Sequence, residues 1–121
     1  MRKVRDVMSP VVLTVETDDV VGDVRDTILD CGVHFVPVVD SGGKPVGVVS
    51  TFDLVEEYSP GEGIVNAMSS NVTMIGADES LPEAAARMRE AYIHHLVVVD
   101  DEQMVGVLST FDLLGELAET T

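Results

Sequence analysis

Residues 46–55 read VGVVSTFDLV and residues 105–114 read VGVLSTFDLL, one ten-residue stretch written twice, 59 residues apart, with eight positions identical. Each copy runs from a glycine through an apolar strand end into Ser-Thr-Phe-Asp and then an amphipathic run. The repeat extends outward from there. A shift of 60 sets Val7-Met8-Ser9 on Ala67-Met68-Ser69 and Asp18 on Asp78. The same shift sets His34-Phe35-Val36-Pro37-Val38-Val39-Asp40 on His94-His95-Leu96-Val97-Val98-Val99-Asp100. The offset then falls to 59, because DSGGKPVG (40–47) faces the shorter DDEQMVG (100–106); a turn tolerates such a deletion. The chain therefore reads as two copies of one unit, 4–58 and 64–118, joined by SPGEG at 59–63, whose Pro and glycines punctuate a turn.

Within each copy the hydrophobic period changes in a fixed order. VVLTV (11–15) and NVTMI (71–75) are short β-rich runs. Val21, Val24 and Ile28 then recur at helical spacing, as do Leu81, Ala84 and Met88. Ser80-Leu81-Pro82-Glu83 has capping-box spacing with Pro in the first turn. Gly32 suits a helix C-cap; Tyr92 stands in its place in the second copy, so a different exit is expected there. FVPVV (35–39) and LVVV (96–99) are continuous apolar runs that suit strands buried on both faces. Ser41-Gly42-Gly43 supplies a turn into VGVVS (46–50), with VGVLS (105–109) as its counterpart. TFDLVEEY (51–58) and TFDLLGEL (110–117) read as short helices. The order per copy is β-α-β-β-α with a lead-in at 2–8 or 64–68, an α/β (α+β) class.

Composition narrows the function. The chain has 121 residues, of which 45% are hydrophobic and only five aromatic, so the core must be Val, Leu, Ile, Met and Ala. A unit of about 60 residues is marginal alone and gains from burying a face against a partner. With 22 acidic against 7 basic residues the net charge is −15. Such a surface repels nucleic acid and anionic membrane, so neither is an expected partner. High charge with high hydrophobicity fits a folded protein of concentrated salt, where self-repulsion is screened, as in the cytoplasm of a halophilic archaeon; the alternative is an acidic mesophilic protein. Cys31 is the single cysteine and permits no internal disulfide, consistent with a reducing cytoplasm. It reads as a buried small hydrophobe rather than a nucleophile. The N-terminus does not read as a signal peptide, and no apolar stretch is long enough for a membrane span. Arg2, Lys3 and Arg5 cluster there, to anchor the lead-in in preference to lining a cleft.

No catalytic constellation is visible: no Cys-x-x-Cys, no His-Glu-x-x-His, no serine elbow flanked by glycines. Gly42-Gly43-Lys44 lacks the upstream Gly of a phosphate loop and reads as a hairpin turn. His94 and His95 are adjacent and would point to opposite faces of a strand, a poor arrangement for one metal ion. No enzyme and no metal site are expected. Ser50-Thr51-Phe52-Asp53 and Ser109-Thr110-Phe111-Asp112 remain. Ser-x-x-Asp at a helix start is a capping arrangement, which would make Phe52 and Phe111 core residues. The same geometry presents free N–H groups and the positive dipole end to a phosphate, with an Asp able to accept from vicinal ribose hydroxyls. Spacing alone leaves both readings open.

Two copies of β-α-β-β-α, each with a PVVD-type strand followed by Gly, two hydrophobic residues and Ser-x-x-Asp, resemble a tandem CBS-domain pair, or Bateman module. The resemblance spans Val4 to Leu117. It implies repeats packed through their sheets about a pseudo-two-fold axis, with clefts binding AMP, ADP, ATP or S-adenosylmethionine. It implies ribose contacts from Asp53 and Asp112, phosphate contacts from Ser50 and Ser109, and phosphate-facing positions at His34, His94 and His95. Backbone around 34–36 and 94–96 would border the base. A homodimer and a regulated protein partner follow from the same likeness. Departures are Val97 where the family has Pro, as at Pro37, Ser69-Ser70 against Ser9-Pro10, and Phe35 against His95, which makes the two sites unequal. A surface at −15 favours a cationic ligand such as S-adenosylmethionine, or a Mg²⁺-bound nucleotide, over free ATP. The expected function is a stand-alone ligand-sensing regulatory module. The alternative is an interaction scaffold that keeps the fold without the ligand.

Overall fold

The computed structural model describes residues 2–10, 13–51, 53–55 and 58–120. Its elements, in chain order, are α1 (Val4–Val7), β1 (Ser9–Pro10), β2 (Val15–Glu16), α2 (Val21–Cys31), β3 (Phe35–Val39) and β4 (Pro45–Ser50). Short 3₁₀ turns follow at Asp53–Val55 and Ile64–Asn66. β5 (Met74–Gly76), α3 (Leu81–Ala91), β6 (His95–Asp100), β7 (Gln103–Ser109) and α4 (Thr110–Thr120) complete the chain. It is a mixed α/β protein with two sheets, as the alternation of periods predicts. The predicted strand residues Val11 and Val12, and Phe52, Glu56 and Glu57 of the predicted helix, lie outside the described residues.

The chain forms two compact units. One is continuous, Leu13–Val72; the other is split, Met1–Val12 with Thr73–Thr121. In the continuous unit the sheet order is β2-β3-β4, with β2 parallel to β3 and β4 antiparallel to it. The α2 stripe Val21, Val24 and Ile28 packs with Val15, Val36, Val38 and Val49. In the split unit the order is β1-β7-β6-β5, again with one parallel pair (β5/β6) and one hairpin (β6/β7). Its core joins Ile75, Ala84, Met88, Leu96, Val98 and Leu108. Each fully buried aliphatic side chain contributes about 1.5–3 kcal/mol, so these two clusters hold the sheets to their helices.

The lead-ins cross over between repeats. Val4, from the first repeat, is fully buried in the core built from the second repeat's strands. Ile64, from the second repeat, is fully buried in the core built from the first repeat's strands. β1 pairs antiparallel with β7, Ser9 opposite Val107 and Pro10 opposite Gly106. Ser69 and Val48 exchange both backbone hydrogen bonds at 2.8 Å. A glycine makes each approach possible. A Cβ on Gly106 would lie 2.8 Å from the Ser9 carbonyl oxygen and against Met8; one on Gly47 would lie 3.0 Å from the Ser69 carbonyl oxygen and against Met68. The sequence period and the spatial units thus divide the chain at different places.

Three local expectations change. Tyr92 occupies the same left-handed conformation as Gly32 (φ 55° against 67°), so both helices leave by one geometry. Its N–H donates to the Arg89 and Met88 carbonyls, which hold a non-glycine residue there. Cys31 is exposed, not buried: it is the last helical residue, and the chain reverses at Gly32 before another turn can cover the thiol. Phe111 is 81% exposed, not core. Leu113 packs inward from α4, and a residue two positions earlier faces about 200° away at 100° per residue.

Candidate functional site

Both Ser-x-x-Asp stretches sit where an antiparallel strand ends. At the β4 exit the Ser50 N–H donates to Asp53 Oδ2 at 2.8 Å, the Ser50 hydroxyl donates to the same oxygen at 3.2 Å, and the Asp53 N–H donates to Ser50 Oγ at 3.4 Å. At the β7 exit the Ser109 N–H donates to Asp112 Oδ2 at 2.9 Å and the Asp112 N–H to Ser109 Oγ at 3.1 Å. These are reciprocal capping boxes. The next residue is also engaged: Thr51 N–H donates to the His34 carbonyl at 3.0 Å and Thr110 N–H to the His94 carbonyl at 2.8 Å. Each box is therefore tied through its backbone to the histidine-bearing bend that enters the neighbouring strand.

This geometry brings Ser50, Asp53 and His34 together in one unit, and Ser109, Asp112, His94 and His95 in the other. β6 begins at His95, so His94 stands in the preceding bend and only one of the two histidines belongs to the strand. His34 and His94 are exposed, and both aspartates are partly buried. The capping bonds use Oδ2 of each aspartate, which leaves Oδ1 for an incoming donor among the described residues. Among the described residues no His, Cys, Asp and Glu group is placed to hold a metal ion, and no helix is long and apolar enough to cross a membrane.

Sequence reasoning missed a groove of about 880 Å³ in the split unit. Ala85, Ala86 and Arg89 of α3 form one wall, Thr110 and Leu113 of α4 the other, and Tyr92 and His94 lie between. Of the predicted site residues its lining includes His94 and not Ser109 or Asp112. The available signal was Tyr92 at the position of Gly32, since a bulky residue in a left-handed conformation is uncommon.

A profile of the CBS domain family matches residues 4–60 and again 63–119. The chain is a tandem CBS-domain protein. Among its relatives, the Methanocaldococcus jannaschii protein MJ1404 is 33% identical over 74% of this chain and 23% of its own length. MJ0188 of the same organism is 31% identical over 98% of this chain and 45% of its own length. Inosine-5'-monophosphate dehydrogenase of that organism is 27% identical over 94% of this chain and 23% of its own. The CBS pair thus spans less than half the length of these curated relatives. In structure it resembles the CBS domain pair of MJ0100, solved with 5'-methylthioadenosine and S-adenosyl-L-methionine, at a TM-score of 0.89 and 23% identity over 100% and 99% of the two chains. CBSX2, solved with AMP, gives a TM-score of 0.84 at 22% identity over 98% of each chain. Both share the fold.

Proposed function

We propose that this CBS pair is a regulatory module that senses an adenosine-containing ligand, AMP, ADP, ATP or S-adenosylmethionine, and transmits its occupancy to a protein partner. The observation that carries the reading is the duplicated Ser-x-x-Asp box at two strand exits, with one carboxylate oxygen of each aspartate uncommitted among the described residues. Structural neighbours that carry S-adenosyl-L-methionine, 5'-methylthioadenosine or AMP support the ligand class. In this reading Oδ1 of Asp53 and of Asp112 accepts from ribose hydroxyls, Ser50 and Ser109 donate to phosphate, and His34, His94 and His95 border it. The acidic surface favours S-adenosylmethionine or a Mg²⁺-loaded nucleotide over the free anion. The module performs no chemistry on the ligand; it changes arrangement only by as much as its two states differ in affinity. It works in a cytoplasm of high salt, as a homodimer.

Calorimetry in high KCl against a panel of adenosine ligands tests this, with Asp53→Ala and Asp112→Ala as variants. The expected result is binding by the wild type and its loss, box by box, in folded variants. No heat from any ligand with the wild type overturns the sensing function.

The second reading is a scaffold with the CBS fold and no ligand. Its support is that both boxes are already closed by internal hydrogen bonds, and that Phe111, Leu114 and Leu117 leave an apolar strip exposed on α4. It expects the two Asp→Ala variants to lose the same melting temperature with and without nucleotide.

A further inference from the structure

We infer that residues 2–10 form an exchangeable strap, whose slot on the split unit accepts the same segment from a second copy of the chain. The strap is held differently from its counterpart. In the second lead-in Ile64 and Ala67 are both buried, and the segment lies mid-chain. In the first, Val4 is buried while Val7, the counterpart of Ala67, is half-covered. Among the described residues its backbone ties are Val4 N–H to the Glu79 carbonyl and Arg5 N–H to the Ala77 carbonyl, each 2.9 Å, a bridge between Lys3 and Ser80, and the two-residue β1 on β7.

Charge does the rest. Arg5 donates to Asp78 at 2.8 Å and to Asp100 at 3.1 Å. Lys3 lies 3.7 Å from Asp78, and Arg2 lies 2.9 Å from Glu116. The corresponding positions of the second lead-in are Glu62, Gly63 and Val65, so this latch is private to the strap. Arg2, Lys3 and Arg5 are thus a basic segment docked on an acidic slot in a chain of net charge −15. That local complementarity is what lets two self-repelling copies meet there. Exposed ion pairs are screened by salt, whereas the cores are not, so the strap opens before the unit does. An opened strap leaves β7 as a bare sheet edge, the surface that another chain's strand adds to.

Hydrogen exchange on the wild type tests the opening. The Val4 and Arg5 amides should exchange at least about tenfold faster than the Val97 amide of β6, the factor that a preference of ~1.4 kcal/mol gives, and faster again as KCl rises. Equal rates at both salt levels overturn the strap. Charge-swapped chains test the exchange, with Cys31→Ser throughout. One carries Lys3→Glu, Arg5→Glu and Ser9→Cys; the other carries Asp78→Lys, Asp100→Lys and Val107→Cys. Ser9 and Val107 are directly opposed, within reach of a disulfide. The mixture should yield the covalent heterodimer at least about tenfold above a mixture whose Val107→Cys chain keeps Asp78 and Asp100. Equal yields overturn the exchange, and so does a heterodimer that forms without Cys opposite Cys. Because dimerisation through α4 would not join these two positions, the result is independent of it.

Discussion

At the residue scale, Asp112 and Asp53 each cap a backbone turn, and in the proposed function each also keeps one oxygen for a ligand. Asp112→Ala removes the bond from Ser109 N–H, so it should lower stability by about 1 kcal/mol in urea melts, the usual loss of a cap, before any ligand is added. Asp112→Asn keeps an acceptor and should recover most of that. Tyr92 is held at φ 55° with its side chain 92% exposed. Tyr92→Gly removes a left-handed penalty of about 1 kcal/mol, and the melt should move upward by a fraction of that, because glycine also loses more freedom on folding. Asp78 shows the pH behaviour. The hydrogen bond from Arg5, then the charges of Arg5 and Lys3, hold its carboxyl below the ordinary value of 3.8. A lowered folded pKa means that its contribution is fully present above that ordinary value and is lost as pH falls through the lowered one. The stability difference between wild type and Arg5→Gln should therefore be flat at neutral pH and shrink below about pH 4.

At the element scale, the glycines under the lead-ins carry more than their size suggests. Gly106→Ala drives a methyl to 2.8 Å from a backbone carbonyl, which cannot swing aside. It should cost about 1–3 kcal/mol, the range for overpacking, measured by denaturant unfolding, whereas alanine at the exposed Gly115, which meets nothing within 4 Å, should not destabilise. Helices α2 and α3, the four long strands and the turn at 40–44 were legible from the sequence because periodicity is a local quantity. Val21, Val24 and Ile28 face one way whatever else the chain does. The turn was legible because Ser41-Gly42-Gly43 are turn residues; that Asp40 accepts from the N–H groups of Gly42 and Lys44 was not. What the lead-ins join was not legible. Val4, Val7 and Met8 read the same whether they cover their own repeat or the other one. Nor was the exposed strip on α4, since Phe111 and Leu113 are equally apolar and only the sheet beneath decides which turns inward. The Ser-x-x-Asp boxes could be read from spacing, but not the fact that Thr51 and Thr110 spend their N–H groups on His34 and His94.

At the scale of the whole molecule, opposite salt effects operate at once. Net repulsion at −15 opposes compaction, and screening relieves it. The melting temperature should rise with KCl across the molar range, followed by circular dichroism, even as the strap amides lose protection. Four of the seven basic residues, Arg2, Lys3, Arg5 and Arg87, are in ion pairs of the split unit, so the early part of that rise should be shallower than the charge alone implies. In the proposed homodimer the exposed apolar strip is the contact: sedimentation should find a dimer for the wild type and a monomer for Phe111→Glu. Cutting the chain at the 59–63 connector should lower the melting temperature of each half, because each lacks the lead-in that adds Ile64 or Val4 to its core, and mixing the halves should raise it.

The crossed lead-ins also say something about ancestry. Two copies of a stretch that agree in eight of ten positions descend from a single one. In a protein made of that single copy, the pairings of Ser9 with Val107 and of Ser69 with Val48 need two chains, each lending its first residues to the other. The doubled chain makes within itself a pairing that a single copy would make only with a neighbour.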